Sequence, residues 1–316
     1  MKVVIPGGTG QVGGVLVRAL RERGHDVVVL ARGGRSDARV ARWDGRMLGD
    51  WASEIDGADA VINLAGRSVN CRYDKTNLTE MLASRIDSTR VVGRAIEVAA
   101  RPPRVWLQAS TATIYSHRFD AANDELTGVL GGEEPDAPGY WRYSIEIAKA
   151  WEREQSEART PRTRRVALRM AIVLSPDRGG TFGILYHLAR LGLGGTIAGG
   201  AQYVSWIHDR DLVRSIDWLL EHDEVDGPVN LASPEPLPQR EFMRALRAAI
   251  GVPFGMPGTK WMFELAAVIH RTDTELLLKS RRVVPTRLLD AGFRFDFPSW
   301  PDAARDLVAR WKRTAN

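Results

Sequence analysis

Apolar and polar segments alternate along the first half of the chain in a way that predicts strands and helices in turn. Short continuous apolar runs are typical of strands that are buried on both faces of a parallel sheet. Such runs occupy residues 3–5, 26–31, 40–44, 58–66, 104–115 and 165–174. Apolar residues recur at helical spacing at 15–20, 77–100 and 140–158. The alternation predicts an α/β fold, a doubly wound parallel sheet of the Rossmann type.

The regular alternation ends near Ser175-Pro176. Beyond this point the pattern predicts a helix at 179–191 and a strand at 201–208. A second helix is predicted at 211–221 and a second strand at 229–232. The remaining tail is divided into short helical segments by prolines, which end helices. These prolines are Pro253, Pro257, Pro285, Pro298 and Pro301.

These patterns divide the chain into two parts. We expect a Rossmann domain that binds NADP over residues 1–175, with residues 201–232 returning to it. A smaller, mostly helical substrate lobe is expected over 176–316, including a C-terminal helical domain at 255–310. A chain of 316 residues with 44% hydrophobic content can bury the core that such an arrangement needs.

Composition excludes several classes of protein. No apolar stretch approaches the ~20 residues needed to cross a bilayer, and the chain enters a strand without a secretory leader. We therefore expect a cytoplasmic protein with no membrane partner. Cys71 is the single cysteine, which excludes an internal disulfide and gives no metal-ligand spacing, so no metal site is expected. The net charge of +5 is spread along the chain, which argues against nucleic acid and favours a phosphorylated cofactor.

The first strand is followed at once by a glycine-rich turn and a helix. Glycines let the backbone turn sharply and approach a ligand, and the helix directs its unpaired amides and positive dipole end at that ligand. A dinucleotide pyrophosphate suits this position. The alternative is a set of glycines that serve a tight turn alone. The predicted cofactor contacts are Gly7, Gly8, Thr9, Gly10, Gln11, Val12 and Gly13.

The ends of the following strands predict which nucleotide is bound. Arg32 and Arg35 follow the second strand, and no carboxylate occurs before Asp37. An arginine at this place pairs with a 2′-phosphate, so NADP(H) is favoured over NAD, unless these arginines are simply solvated. Asp44 could accept the adenine amino group. The turn after the fourth strand should lie beside the pyrophosphate and the nicotinamide ribose; it contains Leu64, Ala65 and Gly66.

The motifs together resemble those of extended short-chain dehydrogenases/reductases, and more narrowly the atypical YfcH-like epimerase family. The matching stretches are Gly7-x-x-Gly10-x-x-Gly13, Asn63-Leu64-Ala65-Gly66, Ser110-Thr111…Ile114-Tyr115, Trp206-Ile207-His208…Asp211 and the tail from Glu275 to Phe293. The resemblance covers nearly the whole chain, and its tail match is similar to that family's C-terminal domain of unknown function. It implies NADPH as cofactor, bound by the loop glycines, Arg32, Leu64, Ala65, Glu80, Arg85 and Arg169. Spacing alone would leave Glu80 and Arg85 on a solvated helix face.

The resemblance also implies a chemistry from which this chain departs. In the superfamily, a tyrosine moves the substrate proton and a lysine four residues later lowers its pKa. None of the tyrosines here has lysine at that position; Lys149 lies six residues after Tyr143, about 240° around the helix. Thr111 and its neighbour Ser110 could still bind a substrate oxygen, and Tyr143 could donate a proton or be structural. His208 suits acid–base work by its ordinary pKa, although a histidine that ends a strand is commonly structural.

Two functions remain open from the sequence. The first is an NADP(H)-dependent oxidoreductase or epimerase-like enzyme that acts on a small carbonyl or hydroxyl compound, with a nucleotide sugar as one candidate. Its substrate would bind in the cleft between the sheet and the tail, and a homodimer is the candidate assembly. The second is an NADPH-binding sensor or scaffold with reduced catalysis, which the missing Tyr-x-x-x-Lys pair favours.

Overall fold

A seven-stranded parallel sheet forms the centre of the molecule. The structure, a computed structural model, describes residues 1–34, 36–69, 71, 73–135, 137–139, 141–258 and 275–315. The sheet contains β1 (Lys2–Pro6), β2 (Asp26–Ala31), β3 (Arg39–Arg42), β4 (Ala60–Asn63), β5 (Val105–Thr111), β6 (Arg164–Met170) and β10 (Gly227–Leu231). The strand order is β10-β6-β5-β4-β1-β2-β3, and every pair is parallel. The predicted doubly wound α/β fold is confirmed.

Nine helices lie within the described residues, some of them against the sheet and others in the C-terminal region. They are α1 (Gln11–Glu22), α2 (Lys75–Val98), α3 (Trp141–Ser156), α4 (Thr181–Arg190), α5 (Asp209–Glu221), α6 (Gln239–Ile250), α7 (Glu275–Leu278), α8 (Thr286–Asp290) and α9 (Trp300–Ala315). Four short strands lie outside the sheet: β7 (Ile172–Leu174), β8 (Tyr203–Val204), β9 (Trp206–His208) and β11 (Leu237–Pro238).

The sheet has an apolar core on each face because successive side chains of a strand point to opposite sides. Val3 and Ile5 of β1 are fully buried in one core, to which α1 and α5 contribute Leu16, Leu20, Leu212 and Ile216. Val4 is buried in the other core, where α2 contributes Val92 and Ile96. A strand that is covered on both faces must be apolar throughout, which is why continuous runs predicted these strands correctly.

The C-terminal region is mostly helical, as predicted, and has a core of its own. Helices α4, α6 and α9 pack around a cluster that contains Phe182, Trp206, Phe242, Trp300 and Leu307. Phe242 and Trp300 stack with ring centres 4.0 Å apart. Part of the predicted helical domain at 255–310, residues 259–274, lies outside the described residues.

Two predicted strands are each divided in the structure. The single strand expected over 165–174 is divided at Ala171, whose N–H donates to the carbonyl of Leu231 before the chain leaves the sheet. Strand β7 then pairs with β9 instead of extending the central sheet. The strand expected over 201–208 is divided at Ser205, whose hydroxyl donates to the carbonyl of Arg281 at 2.7 Å. Apolar periodicity is the same on both sides of each break, so the pattern alone could not reveal them.

The strand expected over 104–115 ends early, at Thr111, because Ala112–Ile114 form a short 3-10 helix. The remaining boundaries are closer to expectation. Strand β3 ends at Arg42 and not at Asp44, because the Asp44 carboxylate binds the backbone of the turn that follows. Helix α2 begins at Lys75, where Asp74 caps it by accepting a hydrogen bond from the Asn77 amide. Across the described ranges, no helix has both the length and the apolar character required to cross a bilayer.

Candidate functional site

The glycine-rich turn between β1 and α1 is packed so closely that two of its glycines have no room for a side chain. Gly7 has a φ of 79°, and a Cβ there would lie 2.8 Å from the amide nitrogen of Ala65. A Cβ at Gly13 would lie 2.6 Å from the Cα of Gly8. The first contact brings the turn against the end of β4, and the second seats the first turn of α1 against the loop. Both glycines are therefore required by steric contact, and Gly7 is also required by its left-handed backbone conformation.

The amino end of α1 carries an unneutralised positive field. Gly10 is its N-cap and supplies no side-chain hydrogen bond, and the first turn contains no acidic residue. The first backbone N–H groups of any helix lack an intrahelical acceptor, and here the cap residue supplies none either. This is the arrangement that binds anions. Thr9 and Gln11 are exposed beside it. The exposed Thr9, Gly10 and Gln11 thus lie directly at the amino end of α1, whereas Gly8 and Gly13 are buried beneath them.

Arg32 lies close to this surface, at the carboxyl end of β2. The loop that it begins approaches the glycine turn, since a Cβ at Gly34 would lie 3.8 Å from the Thr9 methyl group. Arg32 is exposed and forms no ion pair with any described residue. Arg35, also considered from the sequence, lies outside the described residues.

Asp44 is held by its own turn. Its Oδ1 accepts hydrogen bonds from the amides of Arg46 and Met47 at 2.8 and 2.9 Å. These amides lower the pKa of the carboxyl, so the exposed group stays charged. The Asp44 carboxylate remains available to accept a hydrogen bond from a ligand at the carboxyl edge of the sheet.

The turn after β4 is organised by a buried asparagine. The Asn63 side chain donates to Gln108 Oε1 at 2.9 Å and accepts from the Ala65 amide at 3.1 Å. The position of Leu64 and Ala65 against Gly7 follows from this anchoring. Next to it, Gly66 faces Arg85, because a Cβ at Gly66 would lie 3.4 Å from that side chain.

Arg85 is a buried cation with no carboxylate partner among the residues that the structure describes. It is 8% exposed, donates to the carbonyl of Met81 at 3.0 Å, and lies 4.9 Å from the ring centre of Trp151. Burial lowers its pKa to about 10. A buried charge of this kind is costly unless it meets an anion or an aromatic face. The structure thus singles out Arg85, which helical spacing alone would leave in solvent.

Glu80 lies on the exposed part of the same helix. Its carboxylate pairs with Arg67, and the Arg67 guanidinium also donates to Asn77 Oδ1 at 2.6 Å. Both members of the pair are roughly half exposed, so each stays accessible to a ligand at this edge.

The predicted catalytic hydroxyls lie at the end of β5, but they differ in what they contact. Ser110 is buried and donates from Oγ to Glu152 Oε1 at 2.6 Å. Thr111 is half-buried, and its hydroxyl accepts from the Thr113 amide at 3.2 Å. Tyr143, on α3, is 58% exposed. No described residue hydrogen-bonds to its hydroxyl.

A buried polar chain extends from Ser110 across the sheet. Arg169 donates to both oxygens of Glu152, at 2.8 and 2.7 Å, and to the hydroxyl of Tyr115 at 2.9 Å. The Tyr115 hydroxyl in turn donates to Asn230 Oδ1 at 3.0 Å. The Arg169 guanidinium is thereby engaged by the protein. Sequence reasoning did not indicate Glu152 or Asn230, and it marked Tyr115 only as part of the motif at the end of β5. Polar residues in otherwise apolar strand or helix faces were the available signal.

The segment around α7 reaches the same end of β5. Lys279 and Arg281 both bind Thr113, and Glu275 accepts a hydrogen bond from Ser144 Oγ at 2.5 Å. Ser144 directly follows Tyr143 on α3. The tail therefore connects the predicted hydroxyl strand with the predicted proton-donor helix. No local pattern in the sequence indicated these contacts.

His208 has a structural position. It is fully buried, its Nδ1 accepts from the Arg210 amide at 3.1 Å as the N-cap of α5, and its Nε2 lies 3.0 Å from Asp306. Burial lowers its pKa, against the opposing effect of the nearby carboxylates. Its ring stacks on Phe297 at 3.9 Å. Within the described ranges, no cluster of three or more histidine, cysteine or acidic residues could hold a metal ion.

Comparison with known proteins agrees with this geometry. Residues 3–232 match the NAD dependent epimerase/dehydratase family, and residues 260–307 match a domain of unknown function, DUF1731. The chain is 34% identical to the Bos taurus epimerase family protein SDR39U1, over 98% of this chain and 100% of that protein. The human protein of the same name is 32% identical, over 98% and 100%.

Solved structures show the same fold. Human SDR39U1, crystallised with NADPH, superposes with a TM-score of 0.85 at 29% identity, covering 98% of this chain and 99% of that one. A UDP-N-acetylglucosamine 4-epimerase from Bacillus cereus has a TM-score of 0.72 at 19% identity, with 99% of each chain covered, which shows the fold alone. The predicted epimerase-type family and its C-terminal domain are thus confirmed: the chain belongs to the NAD dependent epimerase/dehydratase family and carries a DUF1731 domain at its C-terminal end.

Proposed function

We propose that the chain binds NADP(H) along the carboxyl edge of the sheet. The observation that supports this most directly is the uncapped amino end of α1 behind a glycine turn too tight for side chains. A pyrophosphate would accept hydrogen bonds from those N–H groups. Arg32, which has no acidic partner within the described ranges, would pair with a 2′-phosphate. The NADPH that is bound to the human relative is consistent with this assignment.

The other predicted contacts have assigned roles in this proposal. Asp44 would accept the adenine amino group, and Leu64, Ala65 and Gly66 would line the ribose and nicotinamide side. Arg85 would contribute its buried positive charge to cofactor binding, and Glu80 would contact the cofactor from the exposed side of α2. Arg169 would act through Glu152 and Ser110, because its guanidinium is already engaged by Glu152 and Tyr115. Residues 1–175, joined by β10, form the cofactor domain in this scheme.

The reaction we propose is oxidoreduction or epimerisation of a small carbonyl or hydroxyl compound. When bound, NADPH supplies a hydride, and NADP⁺ accepts one. The Thr111 hydroxyl would hold the substrate oxygen, and Tyr143 would exchange its proton. Ser110 would orient this end of β5 through Glu152. Residues 176–316 would form the substrate lobe, and the family to which the chain belongs makes a nucleotide sugar one candidate substrate.

A second function is favoured by one specific observation. The chain has no Tyr-x-x-x-Lys pair, and the Tyr143 side chain is 58% exposed. No described residue hydrogen-bonds to the Tyr143 hydroxyl, so the described part of the protein offers it no partner for proton transfer. The competing proposal is therefore an NADPH-binding sensor or scaffold with reduced turnover.

Calorimetric titration with NADPH and NADH tests cofactor binding. We expect tight NADPH binding that weakens at least tenfold, about 1.4 kcal/mol, in Arg32→Ala, with NADH binding little changed. Arg94→Ala removes an equally exposed arginine from α2 and should leave both affinities unaltered. If neither NADPH nor NADH binds, both proposed functions are excluded.

Turnover separates the two proposals. NADPH oxidation is followed with a panel of nucleotide sugars and small aldehydes, for the native protein and for the double variant Thr111→Val/Tyr143→Phe. If the protein is an enzyme, the double variant loses NADPH oxidation and keeps NADPH binding. If the protein is a sensor, neither the native protein nor the double variant oxidises NADPH, and NADPH binding changes the susceptibility of the protein to proteases.

A further inference from the structure

A cavity of about 670 Å³ lies between α4 and α9, formed by residues distinct from the predicted cofactor contacts. One face of α4 lines it with Gly183, His187 and Arg190, and α9 contributes Trp311 and Lys312. Gly183 makes room for the indole, since a Cβ there would lie 2.6 Å from the Trp311 ring. Its volume is within the range of small-molecule sites.

The charges that line this cavity have one sign. Arg178, Arg190 and Lys312 all line it, and none of its lining residues is acidic. None of these three cations forms an ion pair with any described residue; Arg178 makes a contact of 3.5 Å with the carbonyl of Thr314. Asp177, the acid adjacent to Arg178, is occupied by Arg18 and Ser175. The cavity is therefore electropositive and its charge is not neutralised by the described part of the protein.

Two aromatic side chains that carry hydrogen-bond donors also line this space. Tyr186 is 5% exposed and Trp311 is 9% exposed, and both line the cavity. Neither the tyrosine hydroxyl nor the indole N–H has a hydrogen-bond partner among the described residues. Their rings lie 5.6 Å apart, and His187 is edge-on to the indole at 5.7 Å. Both residues line the cavity, so the hydroxyl and the indole N–H are available to an acceptor-rich ligand that binds there.

We propose that this cavity binds a small phosphorylated anion that carries at least two negative charges. Three cations and two further hydrogen-bond donors match the several oxygens of such a group, which accept hydrogen bonds from arginine, lysine, hydroxyl and indole groups. Arg178, Arg190 and Lys312 are all exposed to solvent, and an anion with several charges is attracted by all three, whereas a neutral ligand is not. The site adjoins the glycine turn: a Cβ at Gly180, in the cavity wall, would lie 2.3 Å from the Gln11 side chain.

Inorganic pyrophosphate is the probe for a direct test. It is titrated calorimetrically into the protein at saturating NADPH, so that the phosphate groups of the cofactor occupy the glycine turn. We expect measurable binding that weakens at least tenfold in Arg190→Ala/Lys312→Ala. Arg94→Ala/Arg159→Ala removes two exposed arginines elsewhere and is the matched control for net charge. Trp311→Phe, which keeps a ring and loses the N–H, should weaken binding about threefold.

The outcomes are decisive in either direction. Loss of pyrophosphate affinity in the cavity variant, with affinity kept in the control, supports the site. An equal loss in both double variants indicates general attraction to a basic surface and overturns the proposal, as does the absence of any binding. Thermal unfolding of each variant identifies one that fails to fold. Because the readout is binding and not turnover, failure here is distinguishable from failure of the proposed function.

Discussion

Lys279 donates a hydrogen bond from its Nζ to the carbonyl oxygen of Thr113, at 2.8 Å. Thr113 is also held at its amide by the Thr111 hydroxyl and at its own hydroxyl by Arg281 Nε, each at 3.2 Å. The C-terminal segment therefore fixes the short turn that directly follows β5. The orientation of the predicted substrate-binding hydroxyl depends on residues more than 160 positions away in the chain.

Lys279 should make folding stability depend on alkaline pH. Burial, with the charge of Arg281, lowers its pKa to about 8, against the opposing effects of Glu275 and Glu134. The unfolded chain then holds this proton up to pH ~10.4 while the folded protein releases it near 8, so stability rises with pH across that window. Denaturant unfolding of the native protein and of Lys279→Met measures this. The native protein should gain stability relative to the variant from pH 8 to 10; a constant difference would contradict the prediction.

Two adjacent glycines of α1 should respond oppositely to alanine. At Gly13 a Cβ meets the Gly8 backbone at 2.6 Å, so we expect Gly13→Ala to cost about 1–3 kcal/mol of stability and to weaken NADPH binding. At Gly14 the nearest atom is Arg18 Nη1 at 3.5 Å, which is an ordinary contact. Gly14→Ala should therefore stabilise the helix by up to about 1 kcal/mol. Urea unfolding and NADPH titration of both variants provide the measurement, and equal effects would show that the contact with Gly8 is unimportant.

The Arg169–Glu152 ion pair should contribute far more to folding stability than the Arg90–Glu154 pair, whose glutamate lies on the same helix, α3. Its side chains are 8% and 16% exposed, whereas those of Arg90 and Glu154 are 54% and 23% exposed. Removing one partner of the buried pair, as in Arg169→Met, should cost about 3–5 kcal/mol, because Glu152 is left in a largely buried position without its cation. Arg90→Ala should cost no more than about 1 kcal/mol. Chemical denaturation of both variants tests this, and comparable losses would mean that burial does not set the difference.

Arg85 should affect stability and binding in opposite directions. Its charge is buried without a carboxylate partner within the described ranges, which is unfavourable to folding in the absence of a ligand. We expect Arg85→Met to raise the thermal unfolding temperature of the ligand-free protein and to weaken NADPH binding at least tenfold. A variant that loses stability and keeps NADPH affinity would show that Arg85 serves packing against Trp151 instead.

Most of the central sheet could be predicted from the sequence because a parallel strand covered on both faces must be apolar along its length. The runs that contain Val3–Ile5 and Val27–Leu30 are buried in the core as expected. The glycine turn could also be predicted, since its steric demand is expressed in consecutive residues. The breaks at Ala171 and Ser205 could not, because the same apolar pattern continues into a different sheet.

The sequence by itself therefore determined the local features: the apolar strands, the helical periodicity, the glycine turn and the lack of a Tyr-x-x-x-Lys pair. The tertiary structure alone decided which charges are buried and which partners they have. Arg85 and Arg94 look alike on one helix, yet one is buried under α3 and the other is exposed. Lys279 reaches Thr113, and Glu152 reaches Arg169, because packing brings distant segments together. Burial and ion pairing depend on those long-range contacts, which no local pattern of residues records.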